Sequence, residues 1–143
     1  MKLAAAAPRR CEIPLAFEGE PLCKVVAPDD SRWNELAHRF CVRVREYSHA
    51  EPAQITPDEA SDDDFQRFHL VLFGSILDNP AILRLYARRR CFTDSAYPGL
   101  GGAEIRTVSD PLGTGKHALL IGGSDFEAVH EAPIGLHRSF SSV

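Results

Sequence analysis

The chain has 143 residues, 44% of them hydrophobic and 25% charged, which matches the size and composition of one ordinary globular domain. Sixteen Lys and Arg against twenty Asp and Glu leave a formal net charge of −4, the wrong balance for a dedicated nucleic-acid binder. No apolar run approaches the ~20 residues of a membrane helix, and the length is too short for a barrel-type hydrolase. Neither nucleic acid nor membrane is therefore expected as a partner.

Met1-Lys2-Leu3 and Ala4 to Ala7 open like a signal peptide. The stretch stops at Pro8-Arg9-Arg10, short of the roughly 7–15 apolar residues a secretory segment needs. Residues 1–21 are expected to be an irregular leader, in a cytoplasmic protein. Leu22 to Ala27 reads as a short strand closed by Pro28. Asp29-Asp30-Ser31 supplies a helix N-cap. The following helix carries Trp33, Leu36, Ala37, Phe40, Val44 and Tyr47 on one stripe, with Asn34, Glu35, Arg39, Arg43 and Glu46 opposite.

A connector follows over 48–64, with a short edge strand at Ala53 to Thr56. Its acidic run, Asp58 to Asp64, lacks the glycine and the alternating ligands of a calcium loop. It is expected to be a solvated loop. His69 to Gly74 is a continuous apolar run, suited to a strand covered on both faces. Asp78-Asn79-Pro80 starts a helix, with Asn79 as N-cap and Pro80 at the first helical position. Ile82, Leu85 and Tyr86 form its core stripe, and Arg88-Arg89-Arg90 closes it against the negative end of the helix dipole.

Residues 93–102 form a glycine-rich loop. Ala103 to Val108 alternates as a half-exposed strand, and Ala118 to Gly122 reads as a buried one. The short link between them predicts an antiparallel hairpin. The last helix starts at Ser124, which stands at capping-box spacing from Glu127, and runs to Pro133. The result is an α/β fold (bordering on α+β): one mixed sheet of about four to five strands, with about three helices packed on it. The folded domain is placed at 22–132, with an irregular tail at 133–143. Its expected core is Trp33, Phe40, Leu72, Phe73, Ile82, Leu85, Ile105, Leu120 and Ile121.

Few motifs carry chemistry. Gly113-Thr114-Gly115-Lys116 resembles part of a phosphate-binding loop. That pattern requires an earlier glycine where Asp110 stands, and a Ser or Thr where His117 stands. It also runs into a strand rather than a helix, so it reads as a hairpin turn. Gly122-Gly123-Ser124-Asp125 does join strand to helix, but Asp125 and Glu127 would repel an anion there. The four cysteines, Cys11, Cys23, Cys41 and Cys91, form no Cys-x-x-Cys pair, and the six histidines include no metal-binding pair at helical spacing. No metal or cofactor is expected. The basic cluster Arg88, Arg89 and Arg90, with Asp94, is the candidate ligand-binding set, since arginine recognises carboxylates and phosphates bidentately. The same arginines also suit a solvated helix end.

From Leu72 to Ala132 these elements form a longer pattern. Phe73-Gly74 ends a strand and Asp78-Asn79-Pro80 opens a helix. Then follow Tyr97-Pro98-Gly99-Leu100-Gly101-Gly102, Glu104-Ile105-Arg106-Thr107-Val108 and Leu119-Leu120-Ile121-Gly122-Gly123-Ser124-Asp125. The pattern resembles the small N-terminal α/β accessory domain that precedes the catalytic barrel in glycoside hydrolases of the β-hexosaminidase and α-glucuronidase type. Related domains precede catalytic modules in other polysaccharide-degrading proteins. Where the family has a glycine near the last helix start, this chain has Glu127 and Ala128. The resemblance implies a non-catalytic packing domain whose partner is a carbohydrate-active catalytic module, in cis or in trans, with a glycan as a second partner. It carries over no catalytic residue, because the family's acid and base lie in the barrel. It also implies that the chain is the front piece of a larger protein. Two alternatives stay open. One is a stand-alone module that holds a glycan or anion. The other is a small hydrolase or lyase acting on acidic sugars, with Arg88, Arg89, Arg90 and Asp94 at its site.

Overall fold

Val25, Val71 and Leu119 lie in register across three neighbouring strands and are buried on one face of a sheet. Val26, Leu72 and Leu120, one residue on, form the matching row on the other face. Two buried rows on successive positions require cover on both sides, because side chains alternate along a strand. The structure, a computed structural model, describes residues 13–87, 102–123 and 126–131.

The element order among the described residues is β1 (Ala16–Phe17), β2 (Glu20–Pro21), β3 (Cys23–Val26), α1 (Ser31–Ser48), β4 (Ala53–Ile55), α2 (Asp62–Arg67), β5 (His69–Phe73), α3 (Pro80–Ala87), β6 (Ala103–Val108), β7 (Ala118–Gly123) and α4 (Phe126–Glu131). The main sheet has the order β4-β3-β5-β7-β6. All pairs are parallel except β6–β7, which is the expected antiparallel hairpin. The fold is α/β with one mixed sheet of five strands, beside a separate β1–β2 ribbon. No helix among the described residues is long and apolar enough to cross a membrane.

One face is covered by α1, whose Trp33, Leu36, Ala37, Phe40, Cys41 and Val44 pack on β3, β5 and β7. Its N-cap is Asp30, whose side chain accepts from the Arg32 amide at 2.9 Å. Val129 of α4 joins the same cluster, and Phe126 meets Trp33 edge to face at 5.0 Å. The opposite face is covered by α2 and α3 through Phe65, Ala81, Ile82 and Leu85. Each large side chain fully buried in these clusters contributes ~1.5–3 kcal/mol.

Four expectations are corrected. Residues 13–21 are not an irregular leader, because Ile13 and Leu15 are buried in the α1 cluster and β1–β2 forms a ribbon. The acidic run is not a solvated loop throughout. Its second half opens α2, with Ser61 as N-cap in a capping box with Asp64, which is buried. Tyr47 is 53% exposed. An 18-residue helix runs ~27 Å while strands of four to six residues span ~13–20 Å, so the last turn of α1 overhangs the sheet. Ile105 is 49% exposed. It follows Phe73 and Ile121 along one row of the sheet, but on the edge strand β6, at the limit of what the helices cover.

Candidate functional site

In open α/β sheets ligands bind outside the carboxyl ends of the strands, where the strand order reverses. Here that point lies between β3 and β5, because β3 connects outward to β4 while β5 connects toward β7. The groups that line it come from the ends of both strands and from the turn into α3.

β5 stops at Phe73 because Gly74 takes φ +107°. A side chain there would place its Cβ 2.6 Å from Asp78 Oδ1 and 3.1 Å from Pro28 Cγ, so only glycine fits. The Asp78 carboxylate accepts from the Ser75 amide, and the Ser75 hydroxyl accepts from the Leu77 amide at 3.2 Å. Ser75 O in turn accepts from the Asn79 amide at 2.8 Å. Asn79 itself is fully buried. Its Nδ2 donates to Phe73 O at 2.8 Å and to Val26 O at 3.2 Å, joining the carboxyl ends of β5 and β3. Its Oδ1 accepts from the Ala81 amide at 3.1 Å and caps α3. Both donors and the acceptor of this amide are therefore spent on the chain's own backbone. The Asn79 amide is thus committed to the fold, where it joins β3, β5 and α3.

A concave surface lies on the α2–α3 face. A half-open groove of about 430 Å³ is lined by Pro57, Ala60, Phe65, Pro80, Leu83 and Ala87, with Arg84 at its side. The Arg84 guanidinium lies over the Phe65 ring, 4.4 Å from its centroid, and pairs with Asp62. Next to Phe65 in the chain, Asp64 receives Lys24 from β3 at 2.6 Å.

At the amino ends of the strands His69 and His117 stack with centroids 5.3 Å apart. The His117 amide donates to His69 Nδ1 at 2.9 Å, and the Asp110 amide donates to His117 Nδ1 at 3.0 Å. Both rings thus carry their proton on Nε2 and present no lone pair there for a metal. Burial, then the charges of Lys116 and His117, push the His69 imidazole down to about 4. Among the described residues no three His, Cys, Asp or Glu side chains come together as a metal site.

The candidate ligand set, Arg88, Arg89, Arg90 and Asp94, lies outside the described residues, as does Ser124 with its expected cap. Gly113 to Lys116 forms the turn between β6 and β7, and the Thr114 hydroxyl donates to Phe65 O at 3.2 Å. The groove was not anticipated. Its signal was Leu83, an apolar residue off the Ile82–Leu85–Tyr86 stripe and 50% exposed. No family model matches the chain, and no match is found among curated proteins.

Proposed function

We propose that this chain is a non-catalytic packing module that positions a polysaccharide-degrading catalytic module, in cis or in trans, in the cytoplasm. The observation that carries this reading is Asn79. At the point where an α/β sheet offers its ligand site, this buried amide spends its hydrogen bonds on Val26 O, Phe73 O and the Ala81 amide. A catalytic or binding group needs donors and acceptors left over for the ligand, and here they hold two strands and a helix together. The apolar groove between α2 and α3 supports the same reading, because it offers packing surface rather than converging polar groups. The carbohydrate context rests on the resemblance of Leu72 to Ala132 to accessory domains.

The test is turnover and binding by the full chain. β-Linked hexosamine and glucuronoxylan oligosaccharides are incubated with it, and released reducing ends and unsaturated uronic products are followed. No product is expected, and clear hydrolysis or elimination would overturn the reading. Calorimetry against uronic-acid oligosaccharides at millimolar ligand is expected to show no heat of binding. A saturable heat would move the function to that of a glycan-holding module.

A further inference from the structure

Resting on the packing reading, we propose that the α2–α3 groove receives an amphipathic helix of the partner module, with apolar anchors flanked by Lys or Arg. The groove floor is core: Phe65 and Ala81 are buried. Its upper wall is not, since Leu83 is 50% exposed. α3 has eight residues, or ~12 Å, so it flanks about two turns of a partner helix. Two apolar side chains at i and i+4 of that helix would enter together, the usual anchors of a helix laid in a groove.

The rim decides the charge of the occupant. Asp58, Glu59, Asp62 and Asp63 are exposed on the segment that forms one wall. Two of them have cations, Asp62 with Arg84 and Asp63 with Arg67. Glu59 turns an oxygen to the Thr56 amide at 3.1 Å, and no ion pair joins either Asp58 or Glu59 to a cation among the described residues. Arg84 does not offset them, because it lies flat on Phe65 with Asp62 against it. Among the described residues the wall therefore keeps two carboxylates in excess, which favours a basic occupant and selects against an acidic helix or an anionic lipid surface.

The full chain is titrated, by fluorescence anisotropy, into a labelled helical peptide of about 14 residues, with leucines at i, i+4 spacing and lysines elsewhere. A second peptide carries glutamate for every lysine. The lysine peptide is expected to bind at least about tenfold more tightly than the glutamate one, and to weaken severalfold between about 50 and 500 mM salt. Leu83→Glu is expected to weaken it about tenfold. The pair Asp58→Asn/Glu59→Gln is expected to weaken it about threefold and to flatten the salt dependence. Leu83 and both carboxylates are exposed, so these variants should keep the parent's urea midpoint, which is measured alongside. Ala87→Glu, at the far end of the groove, provides a second block should Leu83→Glu disturb folding. Absence of binding, equal binding of both peptides, or binding indifferent to Leu83→Glu and Ala87→Glu would each overturn the proposal. So would a Leu83-dependent dimer in sedimentation, which would make a second copy the occupant. These outcomes bear on the groove alone, whereas turnover of oligosaccharide bears on the packing reading itself.

Discussion

The Lys24 ammonium lies 2.6 Å from Asp64 Oδ1, across 40 positions of sequence, while Asp64 Oδ2 accepts from the Ser61 amide at 2.9 Å and the Ser61 hydroxyl at 3.0 Å. One carboxylate thus caps α2 and ties it to β3. Burial pushes the Asp64 carboxyl up, but the Lys24 ammonium and the two Ser61 donors together hold it below the ordinary carboxylate value. Asp64→Ala is expected to lower the unfolding free energy by about 2–4 kcal/mol: about 1 for the cap, and the remainder for a cation left without its partner. The Lys24 side chain is 24% exposed, which keeps the loss below that of a fully buried pair. Lys24→Met takes the cation from the more deeply buried Asp64 carboxylate, which keeps its two Ser61 donors, and should lose about 2–4 kcal/mol. Urea unfolding measures both, and an unchanged midpoint for Asp64→Ala would show that α2 is held by other means.

His69 sets a pH dependence. Its imidazole titrates near 4 in the fold against ~6.5 in the unfolded chain. The folded state therefore favours the neutral ring. The amide hydrogen bond from His117 acts the same way, since Nδ1 must keep its lone pair to accept it. The stabilisation is complete above pH ~6.5 and is lost as pH falls toward ~4, at a rate of at most ~1.4 kcal/mol per pH unit. The depressed Asp64 carboxyl adds a loss of the same sign at lower pH, below its unfolded value of ~3.9. The urea midpoint should fall between pH 7 and pH 4.5. His69→Gln, with a side-chain oxygen in place of the titrating ring, should flatten that slope. A wild-type midpoint constant across the interval would contradict the assignment.

Cys23 and Cys41 are buried in the α1 cluster, and burial pushes their thiols up to about 12 and about 11. Each also lies near a second negative charge on ionisation, Cys41 for Cys23 and Glu51 for Cys41. Thiolate is the nucleophile in alkylation and disulfide exchange, so neither thiol should react in the folded protein. In a Cys11→Ser/Cys91→Ser variant at pH 8, an aromatic disulfide reagent should find no reactive thiol until denaturant is added. Rapid native-state reaction would place one of the two outside the core.

The main sheet and its helices were legible because local signals agreed with the global fold. The stripe from Trp33 to Val44, the run from His69 to Phe73 and the Asp78-Asn79-Pro80 start each combine pattern with a matching boundary residue. α2 was missed although Ser61 and Asp64 stand at capping-box spacing, because the surrounding aspartates looked like a hydrated run. What pulls that helix down is Lys24, a contact that no local pattern announces. Tyr47 and Ile105 continue good apolar periodicities past the end or edge of the sheet, and periodicity carries no record of where cover stops. Asn79 was legible as a cap, but its second task follows only from the pairing of β3 with β5, which brings Val26 O and Phe73 O to one side chain.

That second task is also the most direct point of test, since the account stands on an Asn79 amide committed to the chain's own backbone. The measurement is hydrogen exchange of the Asn79 side-chain amide in the 15N-labelled full chain, assigned by its disappearance in Asn79→Ser. Both Nδ2 protons should exchange as slowly as the backbone amides of β5, and uronic-acid oligosaccharides should leave their resonances unmoved. Fast exchange, or a saturable shift on adding the oligosaccharide, would show an open crevice and contradict the account.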